Sequence, residues 1–77
     1  MAENLRVTDG EFRNRCDVWV GGLYIGELRY WEDAGQWEIV AAVVGPQRLP
    51  TEQLPWHPTK DAAARALYRY VLEEVGA

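Results

Sequence analysis

The sequence predicts a small α+β domain, in which a three-stranded antiparallel β-meander carries one C-terminal α-helix on one face. Three observations support this prediction. Apolar residues roughly alternate between 12 and 44 and are interrupted by two turn signals. A stretch at 45–58 contains all four prolines of the chain. Residues 59–75 combine strong helix formers with an apolar stripe at helical spacing.

Length and composition fit one folded domain. The chain has 77 residues, of which 48% are hydrophobic, with four tryptophans and four tyrosines. Such a composition is not typical of disorder. A chain this short buries only about 60% of the surface that it exposes when unfolded, so its core is thin. We therefore expect a single domain, 1–77, with little stability to spare unless it associates with another chain.

Charge and cysteine content narrow the class of function. The net charge of −4 argues against a generic nucleic-acid binder, which needs a positive field to displace counterions, and suits a basic partner surface. Cys16 is the only cysteine, so no disulfide can form within the chain, which fits a reducing compartment. The first residues lack an apolar signal core, and the longest apolar run, 39–44, is too short to cross a bilayer. We expect a cytoplasmic protein.

Each predicted strand is bounded by a local signal. Residues 1–11 are polar and contain an Asp-Gly pair, so we expect a flexible lead-in before a sheet at 12–44. The Gly-Gly pair at 21–22 favours a two-residue hairpin turn. Residues 32–35 form a second hairpin loop, and the Gly-Pro pair at 45–46 ends the third strand.

The helix at 59–75 has clear start and face signals. Thr59 is a suitable N-cap after a proline, and Asp61 in the first turn suits the helix dipole. At 100° per residue one broad face is apolar and comprises Ala63, Ala64, Leu67, Tyr68, Val71 and Val75. The opposite face is charged and comprises Asp61, Arg65, Arg69 and Glu73. We expect a surface helix with one buried side.

The two turns also predict which residues share a face of the sheet. They set Val20 opposite Leu23, and they set Arg29 opposite Glu38 as a favourable charge pair. One face is then rich in aromatic side chains: Trp19, Tyr24, Leu28, Tyr30, Trp37, Ile39, Ala41 and Val43. The other is aliphatic, with charges toward one end: Cys16, Val18, Val20, Leu23, Ile25, Val40, Ala42 and Val44, with Glu27, Arg29 and Glu38. We expect the alanine-rich helix to cover the aromatic face, since small residues interdigitate with large ones.

The aliphatic face then needs another cover. Either the proline-rich connector at 45–58 folds back and places Leu49, Leu54 and Trp56 on it, or the face is a docking surface. Monomers seldom leave large contiguous apolar patches exposed, and two-fold pairing of like patches is the commonest assembly. A homodimer is therefore the first partner expected, and another protein the second. The contact residues would be Val18, Val20, Leu23, Ile25, Val40 and Ala42, with Arg29 and Glu38 at the rim.

The sequence carries no pattern typical of an enzyme or a cofactor site. It contains no serine, and one cysteine and one histidine, Cys16 and His57, are too few for a zinc site. Their spacing does not indicate a nucleophile–base pair. The glycines at 21, 22 and 26 match neither a dinucleotide fingerprint nor a phosphate loop. We expect no catalytic activity, no cofactor, no metal and no small-molecule substrate.

Two stretches resemble a known family. These are GQWEIV in the third strand and WHPTKDAAARAL leading into the helix. In a β-β-β-α order they resemble the small three-stranded arm-binding (AP2-like) domains of phage integrases, over about residues 15–72. The resemblance implies a sheet that enters the DNA major groove, with Arg13, Arg15 and Arg29 as its basic side chains. On the predicted register Arg13 and Arg15 point to the opposite face from Arg29, and acidic residues share the same strands.

A further resemblance is one of type. Small acidic proteins with high Ala, Arg and Trp content are similar in kind to many encoded by bacteriophages and mobile elements. Anti-CRISPR and other inhibitors among these occupy a nucleic-acid-binding surface of a host protein, where acidic side chains mimic phosphates. The even scatter of acidic residues here is also typical of solvating surface charge. We expect a non-catalytic, self-associating protein-interaction module of phage or mobile-element type, with host inhibition and DNA binding as alternatives.

Overall fold

Five antiparallel strands and one C-terminal helix form the fold in the computed structural model, which describes residues 4–76. The elements are β1 (Leu5–Asp9), β2 (Arg15–Val20), β3 (Leu23–Trp31), β4 (Gln36–Val44), β5 (Gln47–Leu49) and α1 (Lys60–Gly76). Sheet order follows chain order, so the sheet is a meander. The α+β class is confirmed, while the strand count is five rather than three.

The first additional strand, β1, lies within the predicted flexible lead-in, and that prediction is wrong for residues 5–9. β1 pairs with β2 along its whole length. Leu5 and Val7 pack against the core, whereas Arg6 is exposed. Only two apolar residues mark this alternation, which is too short a pattern to distinguish from a polar lead-in. Residues 1–3 of the predicted segment lie outside the described residues.

The segment predicted as a plain connector also pairs with the sheet. β5 hydrogen-bonds to the end of β4. Nearer the helix, the Trp37 N–H donates to the His57 carbonyl at 2.7 Å, and the His57 N–H donates to the Trp37 carbonyl at 2.9 Å. Leu49 and Leu54 pack against the core. The connector therefore occupies the outer edge of β4 at two places.

The predicted turns are confirmed. Gly21 and Gly22 have φ angles of 56° and 91°, and positive φ at both central residues is what a type I′ hairpin turn requires. The second hairpin closes over residues 32–35, with Gly35 at a φ of 64°. Arg29 lies opposite Glu38, as the charge pattern predicts.

Two β-bulges change the faces between these turns. Trp19 pairs with Tyr24 but Val18 pairs with Gly26, so Ile25 is an extra residue in β3. On the next ladder Leu28 pairs with Ile39 but Glu27 pairs with Ala41, so Val40 is an extra residue in β4. Beyond each extra residue, the side chains of that strand point to the opposite face of the sheet from the one that an unbulged strand would give them. The predicted aromatic and aliphatic faces are therefore exchanged part-way along the strands.

The exchange gathers nearly all of the buried apolar side chains on one side of the sheet, and α1 covers that side. The core cluster comprises Cys16, Val18, Ile25, Leu28, Ile39, Ala42, Ala63, Ala64, Leu67 and Val71. The prediction that α1 covers Trp19 and Tyr24 is wrong. Instead the helix covers most of the predicted aliphatic patch together with Leu28 and Ile39, which the unbulged register placed on the aromatic face.

The helix itself follows its sequence signals. Thr59 caps it, since its Oγ1 accepts a hydrogen bond of 3.0 Å from the Ala62 N–H. Ala63, Ala64, Leu67 and Val71 are buried, as the helical spacing predicts. The end of the predicted apolar face differs, because Val75 lies 60% exposed.

Gly26 permits this close contact between helix and sheet. A Cβ at this position would fall on the carbonyl oxygen of Ala41 and 2.8 Å from a methyl carbon of Leu67. One obstacle is backbone and the other is a fully buried side chain, so neither can move cheaply. The third glycine of the GGLYIG stretch is thus required by packing rather than by a turn.

We predict that Gly26→Ala lowers the free energy of unfolding by about 1–3 kcal/mol, because overpacking forces the helix or β4 to shift. Urea titration followed by circular dichroism measures the loss. Gly76→Ala is the control, because a Cβ there meets nothing within 4 Å. Equal midpoints for wild type and Gly26→Ala would contradict the packing described here.

Candidate interaction surface

The side of the sheet that faces away from α1 is named the open face, because no helix or strand of residues 4–76 packs on it. Side chains directly opposite one another on neighbouring strands share a face, so the cross-strand pairs define its members. They are Arg6, Thr8, Arg15, Asp17, Trp19, Tyr24, Glu27, Arg29, Trp31, Gln36, Glu38, Ala41, Val43 and Arg48. The open face is mixed: aromatic rings alternate with charges of both signs.

Trp31 is the centre of one cluster on the open face. Its indole N–H donates to a carboxylate oxygen of Glu38 at 2.7 Å, and the Arg29 guanidinium lies 3.6 Å from its ring centroid. Trp56 stacks on it, with the centroids 5.7 Å apart and the planes 10° from parallel. A hydrogen bond, a cation–π contact and a stacked ring thus fix the Trp31 side chain.

A second cluster lies at the other end of the open face. The Trp19 indole N–H donates to Thr8 Oγ1 at 2.9 Å, so β1 orients this ring. Tyr24 approaches Trp19 edge-on, with the ring centroids 5.5 Å apart. Tyr24 remains 38% exposed. Its ring is held by a neighbour and still reaches solvent.

A row of charged residues separates the two clusters. Arg15 forms an ion pair of 3.3 Å with Glu27, and Asp17 lies directly opposite Glu27 across the β2–β3 ladder. Among residues 4–76 the Asp17 carboxylate has no ion pair and accepts no side-chain hydrogen bond. Burial, then the neighbouring charges of Glu27 and Glu11, raises the pKa of Asp17 above its ordinary value. The open face therefore holds an uncompensated negative charge at neutral pH.

The negative charges of this row also affect Tyr24, which lies beside it. Burial raises the pKa of Tyr24, and the carboxylates of Asp17 and Glu27 raise it further, while Arg48 acts in the opposite direction. Tyr24 thus stays a neutral hydrogen-bonding phenol at physiological pH.

The residues predicted to form a docking patch are not brought together on one surface. Three belong to the core with exposures of 6% or less: Val18, Ile25 and Ala42. Two are half-buried, namely Val20 and Val40, and Leu23 is 73% exposed at the first hairpin. Arg29 and Glu38 lie on the open face and were predicted as the rim. The chain's own helix therefore covers the buried part of the predicted patch, as a result of the two bulges.

One of the two alternatives from the sequence placed Trp56 on the aliphatic side, and it lies on the open face instead. The sequence carries no signal for this, because the side of Trp56 is set by the pairing of its neighbour His57 with β4. His57 pairs with Trp37, whose side chain points toward the core, so the residue before His57 points to the other side of the sheet. Thr8 was missed because β1 was missed.

The two side chains with the most reactive chemistry are kept apart. Cys16 is 5% exposed, and burial raises the pKa of its thiol, which disfavours the reactive thiolate. His57 pairs with the outer edge of β4, so β3 and β4 lie between it and β2, the strand of Cys16. Within residues 4–76 no group of three or more His, Cys, Asp or Glu side chains is placed to hold a metal ion.

A groove of about 230 Å³ runs along one flank of α1 beside the connector. Ala66 and Tyr70 of the helix line it, together with Leu54 and His57. The His57 Nε2 atom is buried there and has no hydrogen-bond partner. The groove is smaller than most ligand pockets, which occupy about 300–1,000 Å³.

No family model, no curated protein and no solved structure shows significant similarity to this chain. None of the helical residues described forms a segment long and apolar enough to cross a lipid bilayer. The surfaces of the chain itself are therefore the basis for inferring its function.

We predict that Asp17→Asn raises the thermal unfolding temperature near pH 7. The pKa of Asp17 is raised in the folded state, so its contribution to stability is present below the unfolded pKa and is lost as pH rises through the folded pKa. The gain from Asp17→Asn should therefore shrink as the pH is lowered to about 3. Circular dichroism melts across this range measure it. Asp33→Asn, in an exposed hairpin loop, is the control. A melting temperature no higher than that of wild type near pH 7 would contradict the uncompensated charge.

Proposed function

We propose that this chain is a non-catalytic protein-interaction module whose open face binds a partner protein. The observation that carries the proposal is the residue content of that face. Tryptophan, tyrosine and arginine are the residue types that dominate binding energy at protein interfaces, and the open face gathers all three. Trp56 and Tyr24 remain 41% and 38% exposed.

Preorganisation of the rings supports the proposal. The Trp31 ring is fixed by Glu38, Arg29 and Trp56, and the Trp19 ring by Thr8. Ordering a free aromatic side chain at an interface lowers the affinity, whereas a ring that is already held loses little freedom on binding.

Charge indicates the chemistry of the partner. Asp17 lacks a counter-charge and lies beside the Trp19 and Tyr24 rings. An arginine or lysine of a partner would pair with the carboxylate and pack on an aromatic ring. The chain's net charge of −4 would also steer a basic partner toward it. We therefore propose that the partner presents a cationic side chain to the row between the two clusters.

The buried thiol of Cys16 and the enclosed imidazole of His57 support a non-catalytic role. A nucleophilic cysteine requires access and a stabilised thiolate, and burial opposes both at Cys16.

Comparative capture from a lysate of the source cells tests the proposal. Retention of partner proteins should fall about tenfold or more from wild type to Trp56→Ser, because removal of an aromatic anchor at an interface typically costs about 2 kcal/mol or more. Phe12→Ser is the matched control, since Phe12 is 65% exposed and lies outside the open face. Circular dichroism establishes that both variants fold. Equal retention by wild type, Trp56→Ser and Tyr24→Ser would overturn the proposal.

A second candidate is DNA binding through the same face. Arg15 lies directly opposite Arg29, so the prediction that they point to opposite sides is wrong. Arg6 and Arg48 are exposed on the same face. The open face thus carries four of the eight cationic side chains of the chain. This arrangement favours the sheet-to-DNA contact that the AP2-like resemblance implies, while Asp17, Glu27 and Glu38 oppose it.

A gel-shift assay with mixed-sequence duplex DNA separates the two candidates. A protein-interaction module of this charge should give no shift at low ionic strength. A shift that weakens steeply with added salt, and that Arg48→Gln reduces while Arg69→Gln on the helix does not, would establish DNA binding instead.

A further inference from the structure

The outer edge of β1 is the free edge of this sheet. At the opposite edge β5 has only three residues between Pro46 and Pro50, and His57 occupies another part of β4. β1 has five residues, contains no proline and pairs with β2 without a bulge. Within residues 4–76 no strand lies beyond it. An edge without proline, bulge or cover is a template for another strand.

The ladder shows which backbone groups of β1 point outward. The Gly10 N–H donates to the Arg15 carbonyl at 2.8 Å, and the Gly21 N–H donates to the Asn4 carbonyl at 3.1 Å. Hydrogen-bonded and non-bonded pairs alternate along an antiparallel ladder. The even-numbered residues of this segment therefore bond to β2, while Leu5, Val7 and Asp9 direct their N–H and C=O groups away from the sheet.

The helix flank above this edge is apolar and exposed. Ala66 and Tyr70 identify the opposite flank of α1, because they line the groove beside the connector. At 100° per residue Leu72 and Val75 lie on the other flank, toward β1, which α1 contacts. They are 52% and 60% exposed. Leu5 and Val7 of β1 are half-buried and pack against the core on the same side of the sheet as α1, so both elements present apolar side chains on this side.

We propose that a second copy of this chain binds at β1, antiparallel and about a two-fold axis at Val7. When the two-fold axis is perpendicular to the sheet, odd-numbered residues of one copy lie opposite odd-numbered residues of the other, and even-numbered residues opposite even-numbered ones. With Val7 opposite Val7 of the second copy, Leu5 lies opposite Asp9. All three residues with outward-facing backbone groups then form hydrogen-bonded pairs.

The neighbouring registers are less complementary. A two-residue shift that sets Leu5 opposite Val7 also sets Arg6 opposite Arg6, which places like charges face to face. The opposite shift leaves Leu5 unpaired. In the proposed register Arg6 lies opposite Thr8, so no like charges are directly opposed. The two sheets join into one, both helices lie on the same side, and the open faces become continuous.

This pairing is independent of the partner proposed for the open face, and disulfide trapping tests its register. Val7→Cys should form a disulfide-linked dimer on oxidation, because hydrogen-bonded antiparallel pairs hold their Cα atoms about 5.5 Å apart, within disulfide range. Leu5→Cys is the matched control and should stay unlinked, since four residues of offset separate the two cysteines by about 13 Å. Cys16 is buried in the wild-type structure, so we expect it to take no part in either linkage. Linkage of Leu5→Cys without Val7→Cys would overturn the register.

Sedimentation velocity tests the dimer without cross-linking. The wild type should sediment as a dimer. Val7→Pro should sediment as a folded monomer, because proline removes the N–H group that points away from the sheet and leaves the hydrogen bonds between β1 and β2 intact. Leu72→Glu should weaken the dimer at least tenfold, while Leu23→Glu, two strands from the edge, should not. A monomeric wild type, or Val7→Pro and Leu72→Glu variants that remain dimeric, would overturn the proposal. The Trp56→Ser capture tests the open face separately.

Discussion

Two extra residues in the sheet, Ile25 in β3 and Val40 in β4, decide which side chains of this protein are buried together. Without them, strand alternation would leave apolar side chains on both faces of the sheet, and one helix cannot cover both. Each bulge reverses the alternation once, so the aliphatic residues near the first hairpin join Leu28 and Ile39 on a single side. The fold therefore needs only one covering helix. Gly26, which lies between the two bulges on that side, lets the helix approach closely enough to exclude water.

The same constraint creates the open face. Once the apolar side chains turn toward the helix, Trp19, Tyr24, Trp31 and the charged residues of the same face turn away from it. Several of these side chains are held by their neighbours. The indole N–H groups of Trp19 and Trp31 are hydrogen-bonded, Trp56 stacks on Trp31, and Arg29 lies over the Trp31 ring. Asp17 opposite Glu27 is the exception, since like charges face each other there without full compensation. An exposed surface with held rings and an uncompensated charge is suited to binding, because few side chains must be ordered when a partner arrives.

Much of the fold follows from local chemistry in the sequence. The Gly-Gly turn, the four-residue second loop, the Arg29–Glu38 pair, the Thr59 cap and the buried face of the helix all depend on neighbouring residues, and all are confirmed. The bulges could not be predicted in this way. Ile25 and Val40 have side chains typical of any strand. Which residue of a strand has no partner across the ladder is decided by packing across the whole sheet. One such residue is enough to exchange the faces, so three residues of the predicted docking patch, Val18, Ile25 and Ala42, belong to the core. β1 was missed because two apolar residues do not make a pattern, and Trp56 because its side is set by the pairing of His57.

The helix covers the side of the sheet that carries Gly26, Leu28 and Ile39 and leaves the side with Trp19 and Tyr24 uncovered. Nuclear Overhauser effects measured on the wild-type protein in solution test this arrangement. We expect cross-peaks between the Leu67 methyl groups and the Gly26 α-protons, and none between helix side chains and the rings of Trp19 and Tyr24. Cross-peaks from the helix to those two rings, with none to Gly26, would instead show an unbulged sheet with its other side under the helix.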